Sequence, residues 1–186
     1  MRVIAGEARR LKLKAPDGYE TRPTSDKIKE TLFNMLMPYI YSDTMFLDLF
    51  AGSGGIGIEA LSRGAKYAVF VDNSKKACAC ITENLTNTRL SDRARVINSD
   101  VLTSLKRLEG TGVYDIIFMD PPYDLGLEKD TLRYLASSPL VSPETLIIIE
   151  ASKDTVFDDI EDLGFEVVKY KEYKNNCHLF IKPSGK

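Results

Sequence analysis

The sequence predicts an α/β protein with a doubly wound, mostly parallel sheet of seven strands, and three observations favour this class. From residue 45 onward, short apolar runs alternate with segments of helical periodicity. Residues 116–119 and 146–149 are apolar throughout, which is typical of strands covered on both faces. Only residues 174–176 separate the last two predicted strands, too few for a crossover, so the last strand should run antiparallel.

The order of the elements follows from these periodicities. Strands are predicted at 45–50, 67–72, 94–98, 114–120, 145–150, 165–173 and 177–182. Helices are predicted at 57–63, 75–87, 101–108 and 128–135. Ahead of them, residues 1–40 are predicted to form an extension with a short hairpin (2–14) and a helix. Thr24 or Ser25 would cap that helix, and Pro38 would end it.

Length and composition are consistent with one globular unit, whose main domain would be residues 41–186. The chain has 186 residues, of which 44% are hydrophobic and 28% charged, and these ordinary values exclude disordered and fibrous classes. No apolar stretch approaches the roughly 18 residues of a membrane span, and the first residues do not resemble a signal peptide. With three cysteines, no CxxC pair and one histidine, we expect a reduced cytoplasmic protein without a metal site or membrane partner. We assign Cys78, Cys80 and His178 to packing.

Charge is unevenly distributed along the chain. Residues 1–30 contain eight basic and five acidic side chains, a balance of +3, which leaves −5 for the other residues because the whole chain carries −2. Such a basic stretch is usually a solvated surface, but it also suits contact with a polyanion.

A glycine-rich loop follows the first predicted strand of the sheet. Gly52, Gly54 and Gly57 satisfy the pattern G-x-G-x-x-G, and Asp72 follows Gly52 by 20 residues, at the end of the next strand. This pattern is typical of a nucleoside cofactor bound by loop amides, with the carboxylate on the ribose. A purely structural glycine turn is the less favoured interpretation, since four glycines fall within six residues.

Three aspartates indicate which cofactor binds. Asp48 lies inside the first strand, where a dehydrogenase would normally carry an apolar residue, and a carboxylate there suits an ammonium or sulfonium group. S-adenosylmethionine has both cations, a ribose diol for Asp72, and an adenine amino group for Asp100. Asp72 and Asp100 are also ordinary turn residues, but both follow strands at the edge where such sheets bind ligands.

The motif Asp120-Pro121-Pro122-Tyr123 ends an apolar strand at the same edge. An exocyclic base amine is a poor nucleophile, because its lone pair is delocalised into the ring. Two hydrogen-bond acceptors, the Asp120 carboxylate and the Pro121 carbonyl, would stabilise the charge that develops on the nitrogen during attack. Consecutive prolines keep the segment extended, and Tyr123 would stack an unstacked base. A proline turn capped by aspartate is the simpler alternative.

Several of these motifs resemble those of class I S-adenosylmethionine-dependent methyltransferases acting on base amino groups: DLFAGSGGIGIEALSRGA (48–65), VDNS (71–74), NSD (98–100) and DPPY (120–123). The segments RVIAGEARRLKLKAP (2–16) and TRPTSDKIKETLFNML (21–36) resemble one narrower group, the bacterial 16S ribosomal RNA guanine-N2 methyltransferases of the RsmD family. The resemblance extends from Arg2 to Pro183.

The resemblance implies a monomeric, cytoplasmic enzyme that methylates N2 of guanine 966 in 16S rRNA of the small ribosomal subunit. It implies cofactor contacts from Asp48, Phe50, Gly52, Gly54, Asp72, Asn73, Asp100 and Val101. The catalytic residues would be Asp120, Pro121, Pro122 and Tyr123. The RNA-binding residues would be Arg9, Arg10, Lys12, Lys14 and Arg22, the last in a segment (21–24) that folds over the pocket.

Three other functions remain open at this stage. The DPPY and glycine motifs also occur in adenine-N6 methyltransferases of DNA and RNA. The glycine pattern alone would fit a nicotinamide-dependent oxidoreductase, although that leaves Asp120–Tyr123 without a role. A noncatalytic RNA-binding module is the third. The group that accepts the released proton is also open, because an aspartate of ordinary pKa, about 3.9, is a weak base and water would serve.

Overall fold

The computed structural model describes residues 1–16, 25–122 and 125–185. Its centre is a seven-stranded sheet of order β3-β2-β1-β4-β5-β7-β6. The strands are β1 (Met45–Leu49), β2 (Tyr67–Asp72), β3 (Ala94–Asn98), β4 (Ile116–Met119), β5 (Leu146–Ser152), β6 (Phe165–Glu172) and β7 (Asn176–Pro183). Strands β1 to β5 pair in parallel, whereas β7 is antiparallel to both β5 and β6. The predicted α/β class and the antiparallel last strand are confirmed.

Five helices accompany the sheet in the described parts of the chain. They are α1 (Asp26–Leu36), α2 (Gly55–Ser62), α3 (Lys75–Thr88), α4 (Val101–Leu108) and α5 (Leu127–Leu135). The Ser25 side chain accepts a hydrogen bond from the Ile28 amide, which confirms Ser25 as the cap of α1; Thr24 lies outside the described residues. A 3₁₀ turn at Met37–Tyr39 contains Pro38 and follows α1 directly. None of these helices has the length and apolar character that a membrane crossing requires.

Twelve of the predicted element boundaries differ from the observed ones by one to two residues, and four of them have a clear structural cause. Helix α2 begins at Gly55 instead of 57, because Gly54 already adopts a left-handed capping conformation. Strand β4 begins at Ile116 instead of 114, since the Tyr114 amide donates to Leu140 in a loop. It ends at Met119 instead of 120, because Asp120 is followed by Pro121 and Pro122, which have no N–H to donate to a neighbouring strand. Strand β5 continues to Ser152, where pairing with β7 extends it.

The first sixteen residues pack on the main domain. Arg2 and Lys12 form an antiparallel bridge, so the predicted hairpin is present in minimal form. Its turn needs Gly6, with φ +84°, because a Cβ there would lie 1.8 Å from the Ser62 carbonyl oxygen of α2. Its apolar residues belong to the same buried cluster as α1 and one face of the sheet: Val3, Ala8 and Leu13.

A buried charge network anchors this hairpin. The carboxylate of Glu59 in α2 accepts hydrogen bonds from the amides of Ile4 (2.9 Å) and Ala5 (3.0 Å). It also pairs with Lys29 of α1 at 3.2 Å and with Arg63 at 2.8 Å. Burial lowers the pKa of Lys29, and Glu59 opposes that shift. The extension and the main domain therefore share both a core and an ion network.

Candidate active site

A cavity of about 790 Å³ opens at the carboxyl ends of the parallel strands, within the size range of small-molecule sites, roughly 300–1,000 Å³. Six carboxylates from five strand ends and one helix line it: Asp48, Asp72, Asp100, Asp120, Asp130 and Glu150. Among its described lining residues there is no lysine, arginine or histidine side chain. The cavity is therefore strongly acidic and is complementary to a positively charged ligand.

The glycine loop forms one wall of the cavity. The Gly52 amide donates to Asp72 Oδ2 at 2.9 Å, which fixes the loop against the end of β2. Gly57 faces Phe70 of β2 so closely that a Cβ would lie 2.4 Å from the ring. Any side chain at position 57 would displace α2 from the sheet, and with it the loop amides that precede the helix.

Asp48 is the most enclosed of the six carboxylates, with only 1% of the residue exposed. Its Oδ2 atom accepts one hydrogen bond, from the Gly57 amide at 2.9 Å. Burial raises the pKa of Asp48 to about 8, and nearby Asp72 adds to the shift while the Gly57 amide opposes it. A cation in the cavity would favour the ionised form of this carboxyl group.

Asp72 and Asp100 both have structural roles as well as a place in the cavity wall. Asp72 accepts the Ser74 amide at 2.9 Å in addition to that of Gly52. Asp100 caps α4 by accepting the Thr103 amide at 2.9 Å, and this bond lowers its pKa. The sequence left two roles open for Asp72 and Asp100, that of a turn residue and that of a site residue. In the structure each of them bonds to nearby backbone amides and also lines the cavity.

The other predicted cofactor residues surround these aspartates. Phe50, with φ +58°, and exposed Asn73 both line the cavity. Val101 lines it from the first turn of α4. Gly54 is buried and does not line the cavity; it caps α2 in a left-handed backbone conformation. Assignment of all eight residues to the cofactor stays a prediction.

The end of β4 brings the second motif to the same cavity. Asp120, Pro121 and Pro122 all line it; Tyr123 lies outside the described residues. Desolvation raises the pKa of Asp120 well above its ordinary value, and Glu150 and Asp48 raise it further. Asp120 is thus a much stronger base than the aspartate of ordinary pKa that the sequence suggested.

The basic residues lie on the hairpin beside the cavity, and Ala15 and Pro16 at its end line the cavity. Arg9, Arg10 and Lys12 are exposed. Lys14 is exposed too but forms an ion pair with Glu83 of α3. The structure leaves RNA contact by these residues untested, and Arg22, with the segment 21–24, lies outside the described residues.

Sequence reasoning missed Glu150, which ends an apolar run as Asp72 and Asp120 do and was identifiable by that position. It also misassigned His178 to packing alone. His178 is fully buried, but its Nε2 atom lies 3.1 Å from Glu150 Oε2 and its Nδ1 atom 3.2 Å from the Tyr173 hydroxyl. The partners are five and 28 residues away in the chain, so the sequence alone did not reveal the contacts. Cys78 and Cys80 are buried and free of disulfides.

Comparison with known proteins identifies the family of this chain. Residues 1–182 match the family described as Conserved hypothetical protein 95. Ribosomal RNA small subunit methyltransferase D of Haemophilus influenzae is 40% identical over 182 residues, which cover 94% of each chain. The chain belongs to the RsmD family.

A further relative and a solved structure give the same result. The Ribosomal RNA small subunit methyltransferase D of Escherichia coli K12 is 39% identical over 151 residues, which cover 81% of this chain and 74% of that protein. The solved structure of yhhF from Escherichia coli superposes with a TM-score of 0.84 at 31% identity, covering 100% of this chain and 99% of the other. The methyltransferase fold predicted from the motifs is confirmed.

Proposed function

We propose that this protein transfers a methyl group from S-adenosylmethionine to the N2 amino group of a guanine in 16S rRNA, guanine 966 in the family's assignment. Membership of a family of ribosomal RNA methyltransferases supports the coarser part, methylation of rRNA. The single observation that carries the chemistry is the position of Asp120 and Pro121 in a cavity whose described lining has six carboxylates and no basic side chain.

The residues of the cavity fit this cofactor. Its ammonium and sulfonium groups are cations, and Asp48 and the neighbouring carboxylates supply the opposite charge. The glycine loop places backbone amides beside the start of α2, and Asp72 and Asp100 lie where the ribose hydroxyls and the adenine amino group would be held. When bound, the cofactor supplies an electrophilic methyl group. A nicotinamide dinucleotide, with its anionic pyrophosphate, would meet repulsion from the same carboxylates.

Asp120 and Pro121 would then act on the target amine. Each offers an oxygen acceptor for one N–H, which orients the nitrogen lone pair toward the methyl group and stabilises the positive charge that develops on nitrogen. The raised pKa of Asp120 fits it to take up the proton that the methylated nitrogen loses. Pro122 adds no N–H that would compete for these acceptors.

The rRNA would approach over the N-terminal hairpin. Arg9, Arg10 and Lys12 are exposed on the same hairpin whose last residues, Ala15 and Pro16, complete the cavity wall. Contacts from these cations to phosphates would position the substrate without reading its sequence. We further propose that the enzyme acts in the cytoplasm as a monomer, since all six carboxylates of the site come from one chain.

Methyl transfer to defined nucleic acids tests the proposal. The purified protein is incubated with labelled S-adenosylmethionine and three substrates: 16S rRNA transcribed in vitro, 30S particles reconstituted from that transcript, and duplex DNA. Nucleoside analysis of the products should give N2-methylguanosine from the RNA or the particle and no product from DNA. Label in N6-methyladenosine would show that the base is adenine, and absence of any label with bound cofactor would refute the proposal.

Two variants serve as controls in this assay. Asp120→Ala removes the proposed acceptor of the target amine and should abolish most of the label. Asp154→Ala removes an exposed carboxylate in a turn outside the cavity and should transfer methyl at the wild-type rate.

A further inference from the structure

Glu150 and Asp120 occupy neighbouring positions on adjacent strands. Met119 of β4 pairs with Ile149 of β5, so the residues that follow them, Asp120 and Glu150, lie at neighbouring positions on the two adjacent chains. Both line the cavity, and Glu150 is only 5% exposed. Two carboxylates this close repel each other when ionised, and a protein whose only need was to bury this edge would not keep both.

Glu150 is held by donors on its other side. Asn176 donates from Nδ2 to Glu150 Oε1 at 2.7 Å, and His178 Nε2 contacts Oε2 at 3.1 Å. The Tyr173 hydroxyl lies 3.2 Å from His178 Nδ1, and burial, with a contribution from Glu150, raises the pKa of this phenol to about 12. A carboxylate oxygen only accepts hydrogen bonds, so in the neutral imidazole Nε2 donates to Glu150 and Nδ1 is left to accept from Tyr173. Both carboxylate oxygens of Glu150 are thus acceptors.

We propose that Glu150 is a positioning residue for methyl transfer: its carboxylate, held by Asn176 and His178 beside the end of β4, prepares Asp120 to accept the proton released by the methylated amine. This inference rests on the proposed function. The nitrogen that gains a methyl group gives one proton to an Asp120 oxygen, and Asp120 later returns it to water. Glu150 exchanges no atom; it acts on Asp120 through its charge.

The other charged side chains among the described residues of the cavity around Asp120 are acidic. Asp48 on β1 also raises its pKa, and Asp72 on β2, Asp100 before α4 and Asp130 on α5 line the same cavity. His178 on β7 faces Glu150 and not the cavity wall. Glu150 is nevertheless the larger of the two charge contributions to Asp120, after desolvation. Removal of the Glu150 charge should therefore change the titration of Asp120 measurably, even though the other carboxylates remain.

The experiment compares wild type with Glu150→Gln, which keeps the shape and the contact with Asn176 but removes the charge. The pH dependence of kcat should show an acid limb, where Asp120 is already protonated and no longer accepts the released proton. That limb should move to lower pH by about one to two units in the variant, the scale of the effect of one nearby charge on a carboxyl group. Its plateau above the limb should fall, because a less basic Asp120 is a poorer proton acceptor.

Two further variants separate charge from structure. His178→Phe keeps an aromatic ring but removes the donor to Glu150, and should move the acid limb in the same direction by less. Glu144→Gln makes the same chemical change at an exposed glutamate outside the cavity and should leave the limb in place.

A direct titration makes the result independent of activity. The ¹³C signal of the Asp120 carboxyl group, assigned with Asp120→Asn, should titrate at lower pH in Glu150→Gln than in wild type. An unchanged titration, or a shift to higher pH, overturns the inference for Glu150 even if N2-methylguanosine is formed. If the shift occurs but no RNA is methylated, the proposed function fails and the electrostatic coupling stands.

Discussion

At the scale of single residues, the cavity concentrates negative charge that no basic side chain among its described lining residues balances. Desolvation, Glu150 and Asp48 all raise the pKa of Asp120. Among the described residues of the cavity there is no basic side chain beside it. In a purely structural site such charges would be paired or replaced by apolar groups. Their retention at the carboxyl edge of the sheet is explained by a cationic ligand and by an amine that develops positive charge.

Asp120 should matter more for the rate of transfer than for binding. Asp120→Ala should lower kcat by about 10²–10³, the effect of removing one preorganised electrostatic partner. Asp120→Asn should retain part of the activity, because its amide oxygen still accepts a hydrogen bond. Single-turnover transfer at saturating cofactor and RNA measures the chemical step alone. A wild-type rate for Asp120→Ala in that assay would place the reacting amine elsewhere.

Asp48 should make the cofactor-free protein less stable as the pH rises. Its pKa is about 8 in the folded state, against about 3.9 in an unfolded chain, so its stabilising effect is complete below pH 4 and is lost as the pH rises through 8. Relative to Asp48→Asn, the wild-type free energy of unfolding should fall by up to about 1.4 kcal/mol per pH unit within that window. Urea denaturation at pH 5, 6, 7 and 8 measures this difference.

The matched control for Asp48 is Asp115→Asn. Asp115 also accepts a backbone amide, that of Met45 at 2.7 Å, but it lies at the surface. Its free energy of unfolding should run parallel to that of wild type from pH 5 to 8. Parallel curves for Asp48→Asn as well would show that the buried carboxyl group is not held neutral.

At the scale of elements, the sequence predicted the helices and strands better than their mutual contacts. Strand β2, strand β3 and helix α4 have the predicted limits, because each is bounded by a local signal such as the Asp100 cap. Strand β5 ends two residues later than predicted, since its last residues pair with β7, whose position no local pattern records. The link from Glu150 to His178 depends on the same pairing.

The N-terminal hairpin should depend on Glu59 for its place on the domain. Glu59→Ala leaves Lys29 buried without its carboxylate and removes the acceptor of two hairpin amides, which should cost about 3–5 kcal/mol of unfolding free energy. Cofactor affinity should fall with it, since Met1 and Pro16 of the extension line the cavity. Urea denaturation and calorimetric titration measure the two effects. Glu30→Ala, on the exposed side of α1, should change neither.

The exposed cations of the same hairpin should affect RNA binding alone. Replacing Arg9, Arg10 and Lys12 with alanine should weaken RNA binding and reduce the slope of log affinity against log salt by about two, since each lost phosphate contact removes released counterions. Lys14 is left intact because it pairs with Glu83.

A control with equal charge loss distinguishes contact from general attraction. The triple variant of Arg95, Lys106 and Arg107, which are also exposed, removes three positive charges elsewhere. Filter binding from 50 to 300 mM salt should give it nearly the wild-type slope. Equal slopes for both triple variants would mean that the hairpin makes no specific phosphate contact.

At the scale of the whole molecule, a net charge of −2 conceals two separated regions of opposite sign. The acidic cavity lies at the carboxyl edge of the sheet, and the basic hairpin lies against it on α2 and α3. The parallel topology produces the acidic region, because the carboxyl ends of five neighbouring apolar strands lie at the same edge of the sheet. A cation and a polyanion would therefore meet at the boundary between the two regions.

Cofactor binding by the whole protein should release protons, and this tests the acidic cavity as a unit. At pH 7 a carboxyl group of pKa about 8 is mostly protonated, and a bound cation favours its ionised form, so affinity should rise between pH 6 and 8. Calorimetric titration at pH 7 in two buffers of different ionisation enthalpy should show the release of about 0.5–1 proton per S-adenosylmethionine. S-adenosylhomocysteine has the same shape without the sulfonium charge and should release fewer protons, and Asp48→Asn should reduce the release for both. Identical enthalpies in the two buffers would contradict the assignment of these carboxylates to a cationic cofactor.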